Sequence, residues 1–345
     1  MSTAGRARGA PQEIEARIAE SWREARQGDP VRAFRIAQDL GKNAGVARDR
    51  LPLFQTGLLL SFRDHLNGRN VEAAEKLYRM IFWHPQELMP RQIFLTMVQQ
   101  EVMRQLSRMP GHAPLQGRLV FGLGSGRSGS TTLSALFAAQ AHTCWSHEHP
   151  PMVAWGKDGR NEVDFHLTRM TLLARLYRVV VDVSHWWLPK LPALLQADPR
   201  ARFVVIRRDR AATVASFIRT KGLDKPQGIN HWMNHDGVRF RRNAWDRCYP
   251  KFQVDDPEEA IGLYWDRYYT MADEAARRNP GQVRVFDIEA LTDLSGQRAI
   301  LEFCGYESPV LVPGLRKNQG TAADGMFDWY NPFQAAAVPA DRTQA

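Results

Sequence analysis

Arg118-Leu119-Val120-Phe121-Gly122-Leu123-Gly124-Ser125-Gly126-Arg127-Ser128-Gly129-Ser130-Thr131-Thr132-Leu133-Ser134-Ala135-Leu136-Phe137 is the stretch on which the reading of the chain turns. Leu119, Val120 and Phe121 are apolar residues suited to a strand, and glycine then takes every second position from Gly122 to Gly126. Beyond Gly129, the residues Leu133, Leu136, Phe137 and Gln140 fall at i, i+3, i+4 and i+7. The apolar period changes from that of a strand to that of a helix across the glycines, which predicts strand, loop, helix. Glycine lets such a loop turn its N–H groups inward, and the positive end of the helix dipole adds to them. The stretch therefore predicts an anion site suited to phosphate.

The position of the cation narrows the anion. Counted as a Walker A loop, Gly124 and Gly129 have the right gap, but Ser130 stands where that motif requires lysine. The cation is Arg127, inside the loop. Arg127-Ser128-Gly129-Ser130-Thr131-Thr132 resembles the phosphosulfate-binding loop of sulfotransferases that use 3′-phosphoadenosine 5′-phosphosulfate (PAPS), where Lys or Arg precedes Ser-Gly-(Ser/Thr)-Thr. A second segment, Arg202-Phe203-Val204-Val205-Ile206-Arg207-Arg208-Asp209-Arg210, is a buried strand running into a helix with Ala211, Val214, Ala215 and Ile218 as its expected apolar stripe. It is similar to the family's 3′-phosphate segment, Arg-Asp-Pro-Arg with a Ser eight residues after the first Arg. Arg208 and Ser216 keep that spacing, and Arg210 replaces the Pro, which makes the turn less rigid. The strand 282–291, its acidic turn and a helix ending at Phe303-Cys304-Gly305-Tyr306 also resemble the family's last core strand. Arg316-Lys317-Asn318-Gln319-Gly320 is similar to the Arg-Lys-Gly loop that closes over the nucleotide, with Asn318 in place of the first Gly. The resemblance spans roughly residues 118–320 and leaves the N-terminal helices outside it.

The resemblance implies an α/β fold, a parallel sheet flanked by helices as in P-loop NTPases, preceded by an all-α domain. Alternating strands and helices require the same architecture. The expected organisation is a disordered tail over 1–11, a repeat-like helical domain over 12–109, a linker over 110–116, a sulfotransferase domain over 117–334 and a flexible tail over 335–345. PAPS is the implied donor, with no metal. Gly126, Arg127, Ser128, Gly129, Ser130, Thr131, Thr132, Arg208, Ser216, Arg316 and Lys317 are the implied nucleotide-binding residues, Arg127 also acting on the transition state. The implied base lies in His147-Glu148-His149, after the second strand, where several sulfotransferase families carry a catalytic Glu or His. Glu148-His149-Pro150 resembles the Glu-Pro of the carbohydrate enzymes. In an extended segment side chains alternate, so either Glu148 faces the site alone or His147 and His149 do, and Glu148 is favoured. Val179-Val180-Val181 reads as a buried strand ending in Asp182, which is expected with Arg127, Glu148 and Arg208 at the carboxyl ends of the strands, where ligands bind. Two alternatives stand beside sulfuryl transfer: a P-loop kinase or NTPase with Asp182 as its magnesium acid, and a non-catalytic helical-repeat adaptor.

Composition bounds these readings. The chain has 345 residues, 44% hydrophobic and 24% charged, values of an ordinary globular protein. The formal net charge of +9 suits a nucleotide, a nucleic acid or an acidic glycan. Nucleic-acid binding is not expected, because the basic and aromatic residues of 220–256 (Lys221, His231, Trp232, His235, Arg239, Arg241, Arg242, Trp245) show no repeat or RNA-binding signature. They are a candidate acceptor pocket or a solvated insertion anchored by tryptophans. Cys144, Cys248 and Cys304 lie far apart, so neither zinc nor a disulfide framework is expected. No membrane span and no signal-peptide core are read, which points to a cytoplasmic protein. From Glu13 to about Arg108 the pattern is helical, and Ile18, Trp22, Gly28, Val31, Ala33 and Ala37 are echoed forty positions later by Leu58, Phe62, Gly68, Val71, Ala73 and Leu77. Stacked helical hairpins of tetratricopeptide type or a plain bundle account for that echo equally, with a role in packing or in binding a protein partner. Pro257 to Arg278 reads as a helix with Ile261, Trp265, Tyr268, Tyr269 and Ala272 on one face.

Overall fold

The structure, a computed structural model, describes residues 11–43, 46, 50–83, 87–108, 113–156, 159–224, 230–233 and 244–316. The chain divides into two compact units, Met1–Met97 and Val98–Ala345. Residues 1–10 of the tail expected over 1–11, the tail expected over 335–345 and part of the expected linker lie outside the described residues, and Pro11 opens the first helix.

The first unit is helical. Helices α1 (Pro11–Gln27) and α2 (Pro30–Asn43) form one hairpin, and α3 (Leu53–Leu66) and α4 (Asn70–Trp83) form the next. The forty-residue echo has a packing cause: Ala33 and Ala73, and Ala37 and Leu77, are fully buried at equivalent places. Alanine at three of these four positions lets paired helices approach closely, and Leu77 fills the fourth. Pro30 opens α2, where its missing N–H costs nothing, and the Asp29 side chain accepts from the Val31 N–H at 2.8 Å. Gly68, with φ of 75°, ends the α3 turn in a conformation that a β-carbon disfavours. The echo is imperfect on the outside, where Phe62 is exposed together with Leu59 and Leu66 on α3. Helix α5 (Leu88–Ser107) follows.

The second unit is built on five parallel strands: β1 (Arg118–Leu123), β2 (Thr143–His147), β3 (Val179–Val183), β4 (Arg202–Arg207) and β5 (Val283–Asp287), in spatial order β2-β3-β1-β4-β5. The connecting helices are α6 (Ser130–Ala138), α7 (Arg160–Leu173), α8 (Leu191–Ala197), α9 (Arg210–Lys221), α10 (Pro257–Arg278) and α11 (Leu294–Phe303). Both faces of the sheet are covered, so its central strands are near-continuous apolar runs rather than alternating ones. On one face Val120, Val181, Val183, Val204 and Ile206 pack with Leu133, Leu136 and Phe137 of α6 and Ile300 and Leu301 of α11. On the other, Phe121 stacks on Phe203 at 5.1 Å and meets Trp187 edge-on at 5.5 Å. Each such fully buried side chain is worth about 1.5–3 kcal/mol.

The chain builds β1, β2 and β3 on one side and then crosses to β4 and β5 on the other. β1 and β4 are therefore neighbours whose outgoing loops part in opposite directions, which opens a crevice at their carboxyl ends.

Candidate functional site

Two loops meet in that crevice. The first leaves β1 through Gly124, Ser125, Gly126 and Arg127. Gly126 has φ of 83° and Gly129 of 95°, and Arg127, with no glycine's freedom, is held at 54°. Gly129 caps α6 without a side-chain hydrogen bond of its own, and the positive end of that helix opens on the crevice. The second loop leaves β4 through Arg208. The Asp209 carboxylate caps α9 by accepting from the Ala212 N–H at 2.8 Å. Arg210, which replaces the expected Pro, is fixed by a two-pronged pair with Asp266 of α10 at 2.9 and 3.0 Å. Gly262 leaves room for it, since a β-carbon there would fall 2.3 Å from the guanidinium. The turn is thus stiffened from outside rather than by a ring.

The two loops are bonded to each other. Arg208 Nη1 donates to the Arg127 carbonyl at 3.0 Å, and Arg127 Nε donates to Ser216 Oγ of α9 at 3.2 Å. Arg127, Gly129, Ser130, Thr131, Thr132, Arg208 and Arg316 line one cleft of about 410 Å³, with Ile288, Glu289, Leu291 and Thr292 completing the wall. Burial, then the nearby Arg208 and Arg219, lower the pKa of Arg127, with Glu148 and Tyr249 opposing them. Two half-buried guanidiniums lining one cleft repel one another, and an anion bound to both removes that cost. Lys317 lies outside the described residues, as do Asn318, Gln319 and Gly320.

Three tyrosines of α10 hold the first loop from beneath. The Gly124 N–H donates to the Tyr268 hydroxyl at 3.0 Å, which itself donates to the His185 carbonyl at 3.1 Å. Tyr264 donates to the Ser125 carbonyl at 2.9 Å, and Tyr269 to the Ile206 carbonyl at 2.8 Å. The reading of the sequence placed Tyr268 and Tyr269 on an apolar face and passed over Tyr264. The available signal was the i, i+4 pair Tyr264 and Tyr268, whose hydroxyls need partners once buried.

Three expectations are corrected here. Asp182 is not in the site. Its neighbours Val181 and Val183 face α6, so Asp182 points to the opposite side of the sheet. There it is fully buried, paired with Arg169 at 3.0 Å, and accepts from Ser146 at 2.5 Å, Ser184 at 2.7 Å and Trp187 Nε1 at 2.7 Å. Alternation also fails after β2, because Glu148 takes φ of 50°. His147 and Glu148 accordingly both reach the loop region, while His149 turns into the core. His147 Nε2 shares a 3.1 Å hydrogen bond with Ser130 Oγ, and Glu148 is among the charges acting on Arg127. His149 is fully buried against Phe165 and His166, and burial holds its pKa well below the usual histidine value. Finally, the buried face of α9 is Thr213, Val214, Ser216 and Phe217, while Ala211 and Ala215 are exposed and Ile218 half-buried.

Of the basic and aromatic stretch 220–256, His235, Arg239, Arg241 and Arg242 lie outside the described residues. Trp232 is fully buried, and His231, Tyr249 and His185 stack in a column with centroids 5.5 and 4.6 Å apart. Cys144, Cys248 and Cys304 are buried free thiols. Among the described residues no helix is long and apolar enough to cross a membrane.

No protein-family model matches the chain, and no curated protein matches it by sequence. Among solved structures, it is similar to the crystal structure of a sulfotransferase from Alicyclobacillus acidocaldarius, with 18% identity and a TM-score of 0.37 over 60% of this chain and 86% of that one.

Proposed function

We propose that the chain is a sulfotransferase that moves a sulfuryl group from PAPS to an acceptor hydroxyl. The observation that carries the reading is the juxtaposition of Arg127 and Arg208, from neighbouring strand ends, in one cleft that also holds the N-terminal turn of α6. That donor set suits a ligand with two separate anionic groups, as PAPS has. Bound there, PAPS would supply an electrophilic sulfur and a phosphate leaving group.

The chain's own residues divide the remaining work. Ser130, Thr131, Thr132 and the helix end offer donors to the phosphosulfate. Arg208 answers the 3′-phosphate. Ser216 is expected at the same phosphate, and its hydroxyl also accepts from Arg127 Nε, which links the two loops. Arg127 faces the oxygen on which charge grows as the sulfur–oxygen bond to phosphate breaks. The acceptor oxygen forms the new bond to sulfur, and its proton passes to Glu148, with His147 the other group within the same region.

A kinase or NTPase reading loses support at two places. Ser130 replaces the phosphate lysine, and the Asp182 carboxylate is already committed to Arg169, Ser146, Ser184 and Trp187 on the far face of the sheet. Calorimetry separates the alternatives. Adenosine 3′,5′-bisphosphate is expected to bind without magnesium, and about tenfold or more tighter than adenosine 5′-monophosphate. Tighter binding of ATP with magnesium would favour the kinase reading, and binding of neither would favour the adaptor. Transfer of labelled sulfate from PAPS to sugars, phenols and peptides then identifies the acceptor.

A further inference from the structure

Arg127 has a second neighbourhood, made of residues that do not line the nucleotide cleft. Lys221 ends α9, and its ammonium lies 5.7 Å from the centroid of the Trp245 ring. That ring lies nearly parallel to His185, 6.2 Å away, and His185 stacks on Tyr249 at 4.6 Å. Glu148 Oε1 comes within 3.9 Å of His185 Nδ1. The cluster therefore joins a carboxylate, an ammonium and an aromatic wall, on the side of Arg127 that the acceptor must approach if Glu148 takes its proton.

Lys221 is the member that proton transfer does not use. Among the described residues it donates no hydrogen bond, and its contact is an indole face. Burial lowers its pKa first, Glu148 raises it, and Arg127 lowers it again. A half-buried ammonium without a donated hydrogen bond is costly. Glu148 is a single carboxylate set against Arg127 and Lys221, and Arg208 and Arg219 add positive charge near Arg127. The donor's two anionic groups account for Arg127 and Arg208. They leave Lys221 over.

We propose that Lys221 binds an anionic substituent of the acceptor, a carboxylate or a sulfate ester, while the acceptor's ring lies against Trp245. The acceptor is then a hydroxylated ring compound that already carries negative charge, and Lys221 sets that specificity. This inference rests on the sulfuryl-transfer reading, because it takes the Glu148 side of Arg127 as the acceptor side.

The test uses the full chain with and without saturating adenosine 3′,5′-bisphosphate. Binding of 4-nitrophenyl β-D-glucuronide and of the 6-sulfate of 4-nitrophenyl β-D-glucoside is measured by NMR titration against the neutral 4-nitrophenyl β-D-glucoside. At least one anionic probe should bind about tenfold or more tighter than the neutral one, and the stronger of the two names the anion. Lys221→Met, which keeps the aliphatic stem, should bring the ratio close to one, and Lys221→Arg should keep part of it. Affinity for the bisphosphate should change less than about twofold in both. Equal binding of all three probes, or a preference that survives Lys221→Met, overturns the inference. Loss of the preference together with loss of bisphosphate affinity overturns it as well, since Lys221 would then shape the nucleotide cleft. If the bisphosphate does not bind the unmodified chain, sulfuryl transfer falls, and the probe comparison without nucleotide still decides whether Lys221 is an anion site.

Discussion

Glu148 and Arg127 are the two non-glycine residues whose left-handed backbone shapes the site, at φ of 50° and 54°. Each costs of order 1–2 kcal/mol relative to an ordinary conformation. In both cases the conformation redirects a charged side chain: Glu148 leaves the alternation of β2, and Arg127 bends over α9 to reach Ser216. Strain held at such a place is consistent with use. Glu148→Gln keeps the shape and removes the basicity. Its kcat should fall about 10²-fold or more, within the range of general-base catalysis, while adenosine 3′,5′-bisphosphate binds within about twofold of the unmodified chain. Steady-state kinetics and calorimetry check both. Near-normal turnover in Glu148→Gln with loss in His147→Asn would transfer the role to His147. Arg127→Ala is expected to lower kcat by about 10²-fold as a lost preorganised donor, and a change confined to KM would make Arg127 a ground-state binder instead.

At the scale of elements, α10 explains why the glycine loop has one shape. Tyr268 joins the Gly124 N–H to the His185 carbonyl, so the exits of β1 and β3 are tied through one hydroxyl. Tyr268→Phe strands a buried N–H, at about 1–3 kcal/mol. The expected outcome is weaker bisphosphate binding by roughly tenfold. Unchanged binding with a lowered melting temperature would reduce Tyr268 to a packing residue. Neither this tie nor the Asp182 network was legible in the sequence, because both depend on residues far apart in the chain. The β1–loop–α6 unit was legible, because its periods and glycines are contiguous. Arg208 and Ser216 were found by spacing, yet the stripe on α9 was misread. Phe217 packs against Trp232 at 4.9 Å and under Gly126, and those distant partners outweigh the local pattern of Ala211, Ala215 and Ile218. Asp182 misled for a simpler reason: an acid at a strand end faces the site or its reverse according to one step of alternation.

At the scale of the whole molecule, burial of histidine makes stability depend on pH. His185 and His149 are buried, and burial lowers the pKa of each, that of His185 to about 3. His231 is lowered too, chiefly by burial, with Asp246 opposing. A backbone hydrogen bond at Cys248 opposes the shift of His185 while Lys221, His231 and His147 add to it, and for His149 the positive Arg169 and His166 add to burial against a backbone hydrogen bond to Pro150. In the unfolded chain these imidazoles take up protons near pH 6.5. Below that point the unfolded state binds protons that the folded state refuses, so stability falls as pH falls, and for His185 it continues to fall toward about pH 3. Each fully buried imidazole contributes up to roughly 1.4 kcal/mol per pH unit in that window. Above pH 7 the contribution of these imidazoles is complete, and the buried thiols of Cys144, Cys248 and Cys304, whose pKa burial raises, bring stability down again at alkaline pH. Urea midpoints at pH 8, 7, 6 and 5 are therefore expected to hold between 8 and 7 and to drop steeply from 6 to 5. His185→Phe, which keeps the stack on Tyr249 and removes the titrating nitrogens, should make the acid-side slope shallower by one histidine's share. A midpoint independent of pH from 7 to 5 would mean that water reaches these rings, and with it that the aromatic wall behind Glu148 is open.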